Sequence, residues 1–190
     1  MKKIAIVGAG ISGLYVANLF KENPNYQVTI YEKNNSIHLD EGYGIQLSNN
    51  SIQLLNKIGF NTLSKEEKFN PEKIDFYEIK NGKKICNLNI AEFNSEGCKY
   101  TTFKRSKLVE FLKDKLDDNV IKYNHNITKI ESDNNEISLT FNTSERVIFD
   151  RLVIFFDFFV GFLDFKTFFT DVFFLYNLLL DADLLLEKTL

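Results

Sequence analysis

Apolar residues along this chain alternate between two periods, and the changes of period mark its elements. Lys3–Val7 is almost wholly apolar and reads as a buried strand. Ile11, Leu14, Tyr15 and Leu19 then recur at helical spacing, which predicts a helix over Ile11–Glu22 ended by Asn23-Pro24-Asn25. Gln27–Glu32 is β-branched and reads as a second strand, so the chain opens with a β-α-β unit whose strands should be parallel and whose crossover should be right-handed. A short strand at Ile45–Leu47 leads into a helix expected over Asn50–Ile58 and closed by Gly59.

The middle of the chain is rich in strands. Ile74–Lys80 and Lys84–Ile90 flank Asn81-Gly82, a strong hairpin signal, so they should pair antiparallel. Tyr100–Phe103 predicts another strand, and Lys104–Leu116 a helix with apolar positions at Leu108, Phe111, Leu112 and Leu116. Strands are expected at Val120–Tyr123, Ile127–Glu131, Glu136–Phe141 and Val147–Phe149, with a turn at Asn134-Asn135. The expected fold class is α/β, with a parallel sheet over 1–154 that carries inserted antiparallel strands at about 74–103. Residues 155–190 differ from this body, since ten of the chain's 19 phenylalanines fall between Phe155 and Phe174. Asp157, Asp164, Lys166, Asp171, Asp181 and Asp183 break that tail into runs shorter than the ~18 to 20 residues of a membrane span. The recurrence of Asp150, Asp157, Asp164 and Asp171 at every seventh residue is read as coincidence in a biased segment.

Composition narrows the partners. With 44% hydrophobic residues, 190 residues can bury a real core. A net charge of −3 with dispersed Lys and Arg leaves no basic stripe for nucleic acid. Cys86 and Cys98 form no C-x-x-C motif, and with His38 and His125 they make no zinc ligand set. No metal is expected, both histidines are read as ordinary surface residues, and a reducing cytoplasm is the simplest home. Lys2-Lys3 before Ile4–Val7 imitates a secretory signal, but the glycines that follow interrupt it and favour a first strand.

Those glycines carry the chemistry. Gly8-Ala9-Gly10-Ile11-Ser12-Gly13 is G-x-G-x-x-G between a predicted strand and a predicted helix, with the acidic Glu32 at the end of the next strand. Gly8 permits the tight turn, Gly10 lets the backbone approach a pyrophosphate, and Gly13 lets the helix pack close on the strand. Backbone N–H groups around Ile11 and Ser12, with the positive end of the helix dipole, face the phosphates. Glu32 is placed to accept hydrogen bonds from ribose hydroxyls.

Three further stretches decide which dinucleotide. Glu32-Lys33 closes the second strand; Gly42-Tyr43-Gly44-Ile45-Gln46-Leu47 precedes Asn50 and a helix ending Ile58-Gly59-Phe60; and Lys104-Arg105-Ser106-Lys107-Leu108 opens a helix containing Leu112. Asp150-Arg151-Leu152-Val153-Ile154 follows as a last strand. Together, over roughly residues 1–154, these resemble the FAD-dependent monooxygenases of the aromatic-hydroxylase or ubiquinone-hydroxylase type. The resemblance implies FAD as cofactor, NAD(P)H as reductant and oxygen as co-substrate, with hydroxylation of a small aromatic or quinone-like molecule. It places Arg105 against the flavin cofactor, Gln46 near the flavin end, and Lys33 among the cofactor residues. It makes residues 1–154 a Rossmann-like FAD/NAD(P)-binding domain and the antiparallel strands part of an incomplete substrate domain. Catalysis belongs to the cofactor, so no catalytic side chain is assigned. Two alternatives remain: a flavin reductase or dehydrogenase without oxygen chemistry, and an inactive nucleotide-binding fragment that associates through its apolar tail. Membrane contact is expected only through that tail, and the oligomeric state is left open.

The resemblance stops after Ile154. Where the family continues Gly-Ala-Asp-Gly, this chain reads Phe155-Phe156-Asp157-Phe158, and it contains no Gly-Asp dipeptide for the family's ribityl-binding aspartate. A truncated or frame-shifted reading of a longer gene is the expectation here, and a genuine short protein with an apolar partner-binding tail is the rival. Either way, weak FAD binding without coupled hydroxylation is expected.

Overall fold

Ile4, Ala5 and Ile6 are buried on both faces of β1 (Lys2–Val7), which is why this strand reads as an unbroken apolar run and not as an alternating one. The computed structural model describes residues 1–39, 43–133 and 136–155. In chain order the remaining elements are α1 (Ile11–Lys21), β2 (Tyr26–Tyr31), β3 (Gly44–Leu47), α2 (Asn49–Asn56), β4 (Lys73–Tyr77), β5 (Lys84–Asn89), β6 (Thr101–Lys104), α3 (Arg105–Lys113), β7 (Ile121–Lys122), β8 (Ile127–Ser132), β9 (Ile137–Phe141), β10 (Arg146–Phe149) and β11 (Arg151–Ile154). Short 3-10 turns lie between α2 and β4 and after β5.

A parallel sheet ordered β11-β1-β2-β7 forms the centre. β1 pairs with β2 from Lys2 opposite Tyr26 to Val7 opposite Tyr31, and with β11 from Ile4 opposite Arg151 to Val7 opposite Ile154. One face packs on helices: the Ile6 side chain lies under Gly13 of α1, and the buried Asn18 amide donates to Leu14 O and Leu112 O, tying α1 to α3. The other face packs on the antiparallel sheet β10-β9-β8 through Ala5, Tyr31, Leu139, Phe141 and Phe149. Tyr31 and Phe141 stack at 4.5 Å and Phe149 meets Tyr31 edge-on at 5.7 Å. Each such side chain contributes ~1.5 to 3 kcal/mol when fully buried, so this aromatic seam is a main fastening between the two sheets.

Asp150 is where the chain changes sheets. Its N–H donates to Lys3 O and its carboxylate accepts the Lys3 N–H at 2.7 Å, so β10 ends in one sheet and β11 begins in the other within one residue.

Two further ribbons stand apart from the central sheet. β3 pairs antiparallel with β6, and β4 with β5. The latter is the hairpin expected around Asn81-Gly82, but its connection is longer than two residues. Glu78 N–H donates to Lys83 O, Gly82 N–H donates to Glu78 O at φ +69°, and a register shift falls at Phe76/Tyr77. The helices are shorter than their apolar spacing suggests. α2 gives way at Lys57, Ile58 and Gly59 to bonds reaching three residues back, and α3 does the same at Leu116. Gly59 then leaves the helix at φ +85°, the left-handed conformation its residue type favours. The turn expected at Asn134-Asn135, the start of the Gly42 motif and the tail beyond Phe155 lie outside the described residues.

Candidate nucleotide-binding site

The C-terminal edge of the central sheet carries the glycine turn, and each glycine there answers a different constraint. Gly8 has φ +99°, its N–H donates to Tyr31 O at 2.9 Å, and an added Cβ would lie 3.0 Å from the Phe155 carbonyl. At Gly13 an added Cβ would fall 2.0 Å from the Gly8 carbonyl oxygen, which no side-chain adjustment relieves. At Gly10 it would meet nothing within 4 Å. The first and third glycines are therefore required by the fold itself. The second faces open space, as a position reserved for a ligand would.

Gly10 is also the N-cap of α1, in extended conformation, with no side-chain cap and no acidic residue in the first turn. The first intrahelical bond recorded at this end is Leu14 N–H to Gly10 O, so the amides of Ile11, Ser12 and Gly13 lack partners within the helix. An uncapped helix start next to open space suits a phosphate.

Glu32 leaves β2 beside this turn. One carboxylate oxygen accepts the Ala9 N–H at 2.9 Å and the other accepts the Asn34 N–H at 2.9 Å. The side chain is half-buried and fixed in orientation, and each oxygen keeps a second lone pair for a hydroxyl donor. Lys33 points into solvent. Ala9 and Asn34 were not legible as partners, because they contribute only backbone.

Gln46 lies on the β3·β6 ribbon, and Arg105 directly follows it. Gln46 stands opposite Thr102, and its amide oxygen accepts the Tyr100 hydroxyl at 2.6 Å. Burial pushes the Tyr100 phenol above its ordinary range, so it remains a donor at neutral pH. Arg105 opens α3; its N–H donates to Tyr43 O and its guanidinium lies 5.7 Å from the centre of the Tyr43 ring. A cleft of about 340 Å³ opens on the same ribbon, lined by Gly44, Phe69, Thr102, Phe103, Lys104 and residues 66–68. The sequence pattern singled out neither Tyr43 nor Tyr100 as a supporting side chain, since each acts through a strand pairing between distant segments.

His38 is exposed, as an ordinary surface residue would be, but His125 corrects that reading. Its side chain is only 17% exposed and packs against Tyr31 and Phe141. Among the described residues no cluster of three or more His, Cys, Asp and Glu could hold a metal ion, and no helix is long and apolar enough to cross a membrane.

The parallel sheet, the glycine turn and the carboxylate beside it define a Rossmann-like dinucleotide-binding domain, and residues 6–39 match the family model for the NAD(P)-binding Rossmann-like domain. Beyond that segment, the chain is similar to FAD-dependent monooxygenases of the aromatic-hydroxylase type. It is 26% identical over 141 residues to 6-hydroxynicotinate 3-monooxygenase of Pseudomonas fluorescens, covering 73% of this chain and 36% of the relative. It is 27% identical over 148 residues to a 3-amino-4-hydroxybenzoate 2-monooxygenase of Streptomyces platensis, covering 75% and 37%. The fold matches that of Klebsiella pneumoniae HpxO, solved with FAD and uric acid, with a TM-score of 0.67 at 19% identity over 80% of this chain and 38% of that one. The chain thus spans a little over a third of the length of the curated relatives it matches.

Proposed function

We propose that the chain binds the ADP portion of FAD on the 8–13 turn, and that the activity it serves is NAD(P)H- and oxygen-dependent hydroxylation of a small aromatic or quinone-like molecule. The observation that carries this reading is the conjunction at one sheet edge of an uncapped helix start, open space over Gly10, and a carboxylate held by Ala9 and Asn34. Helix amides and dipole receive the pyrophosphate, while the free lone pairs of Glu32 receive the ribose hydroxyls. Ile11 and Ser12 contribute amides, and Lys33 adds a positive charge at the rim. FAD, when bound, supplies the redox chemistry; the protein orients it and excludes water.

Arg105, Gln46 and the neighbouring cleft form the flavin-ward part of this reading. The guanidinium, steadied on the Tyr43 ring, offers planar donors to a carbonyl-rich ring system. The organisation that goes with it is an FAD domain over 1–154 with substrate-side strands at about 74–103. The names of both curated relatives describe hydroxylated aromatic substrates, which supports an aromatic substrate class here. The free thiols of Cys86 and Cys98 fit a reducing cytoplasm.

Calorimetric titration of the 190-residue chain with ADP and with FAD tests the proposal. Saturable binding is expected, and Gly10→Val should abolish it by filling the space over the turn while leaving the thermal transition unchanged. Equal affinity in the variant overturns the assignment of the turn.

A further inference from the structure

Among the described residues, two that are not glycine take a left-handed backbone: Asn124 at φ +59° and Ser144 at φ +66°. Ser144 closes the tight connection between β9 and β10, where its N–H donates to Phe141 O, and a hairpin of that length calls for a left-handed residue. Asn124 lies in no hairpin. It follows β7, at the corner where the chain leaves the central sheet for β8. Changing sheets does not itself require this conformation, because the crossing at Asp150 is made without it. Packing does not ask for asparagine either, since the side chain is exposed. A backbone outlier with no local cause directs attention to what it holds.

The ladder between β2 and β7 supplies the cause. Ile30 N–H donates to Val120 O and Glu32 N–H donates to Lys122 O, the even two-residue step of parallel strands. Continued regularly, that ladder would bring Asn124 N–H to Glu32 O. The left-handed residue shifts the corner by one position. His125 N–H donates to Glu32 O at 2.9 Å in its stead, and Asn124 N–H is released to donate to Asn34 O at 3.0 Å. Extended backbone turns successive N–H groups to opposite sides, whereas a left-handed residue can turn two of them the same way. Both carbonyls held here belong to the short loop that the Glu32 carboxylate closes, with one oxygen on the Asn34 N–H and the other on the Ala9 N–H. The corner is itself anchored. The His125 ring packs edge-on against Tyr31 and Phe141, Asn126 N–H donates to the Asn142 Oδ1, and Asn142 N–H donates to Asn126 O.

We propose that Asn124 is a positioning residue for the ribose of the bound nucleotide: its left-handed turn pins the carbonyls of Glu32 and Asn34 and thereby sets the direction of the Glu32 carboxylate. This inference rests on the nucleotide reading of the turn. A residue that resists positive φ straightens the corner, returns its own N–H to Glu32 O and leaves Asn34 O without its donor. The 32–34 loop then rotates, and the carboxylate that faces the ribose hydroxyls rotates with it. The helix-start amides of Ile11, Ser12 and Gly13 are not tied to this loop, so the grip on the pyrophosphate is unchanged. Asparagine and glycine accept the left-handed conformation; a β-branched residue does not.

The test compares Asn124→Val and Asn124→Gly in the 190-residue chain by calorimetric titration with ADP and with dideoxy-ADP, which lacks the ribose hydroxyls. Asn124→Val should lower ADP affinity on the order of tenfold, the worth of one hydrogen bond to a charged group, and leave dideoxy-ADP affinity unchanged. Asn124→Gly should bind both as the wild type does. In a Glu32→Ala background, Asn124→Val should cause no further loss, because the contact it positions is already gone. The Ala9 amide resonance should move in Asn124→Val and stay in place in Asn124→Gly. Should the valine variant fail to fold, Asn124→Ala carries the same comparison with a smaller loss. Undiminished ADP affinity, equal losses for the two nucleotides, losses that add to those of Glu32→Ala, or a glycine variant as weak as the valine one overturns the role of Asn124. A wild-type chain that binds neither nucleotide overturns the nucleotide reading instead, while the Ala9 resonance still reports whether Asn124 holds the Glu32 carboxylate.

Discussion

The three glycines of the turn have the same residue type and different reasons for it, and substitution separates them. A methyl group on Gly13 would overlap the Gly8 carbonyl, a backbone atom that can retreat only if α1 lifts from β1. Gly13→Ala should therefore lower the unfolding free energy by about 3 kcal/mol, at the upper end of overpacking costs. Gly10→Ala should leave it unchanged, since nothing stands within 4 Å. Urea unfolding of the two variants side by side checks the contrast, and equal losses would show that the turn is softer than its geometry. The spacing of these glycines and the acidic Glu32 were legible because they answer to local geometry. His125 was not, because a histidine's environment is set by whichever strands pack over it, and Tyr31, Phe141 and Glu145 are far from it in sequence or invisible as partners.

Among elements, the same division holds. β1, α1 and β2 appear where their apolar spacing puts them, since consecutive segments that pair need only a short crossover. The hairpin β4·β5 was signalled by Asn81-Gly82, although its bulge and longer connection depend on side-chain and backbone bonds that no dipeptide announces. The pairing of β3 with β6, more than fifty residues apart, and the packing of β8–β10 on the central sheet had no local signature. These antiparallel ribbons are also where acid should act first. Salt-bridged carboxylates on them sit below their ordinary values: Asp75 through its bond to Lys84, Glu131 through Lys129, and Glu145 through His125. A depressed carboxylate contributes stability that is present above its unfolded value and is lost as pH falls through its folded one. With ordinary values of 3.8 for Asp75 and 4.5 for the two glutamates, the melting temperature should decline below about pH 4.5. A melting temperature that is flat from pH 6 to pH 3 would mean these pairs add nothing, as exposed ion pairs sometimes do.

At the scale of the whole molecule, the described residues stand or fall on the seam between the parallel and antiparallel sheets. Phe141 is 1% exposed and touches both Tyr31 and His125, so Phe141→Ala should cost about 3 to 5 kcal/mol. The loss should appear in one cooperative transition, followed by both far-ultraviolet dichroism and tyrosine fluorescence; separate midpoints would indicate two independent layers. The seam also bears on the order in which the chain is made. β1 takes one neighbour from β2 at once, but its other neighbour is β11, which begins only at Arg151. At the ~5 to 20 residues per second of synthesis, the interval between Tyr31 and Arg151 lasts roughly ten seconds. Throughout it, the edge of an apolar strand is open to any passing chain. Ribosome-bound chains arrested before Arg151 has emerged should therefore be captured by a trigger-type holding chaperone. Chains extended so that Phe155 has cleared the exit should be released, and equal capture at both lengths would show that β11 does not close that edge.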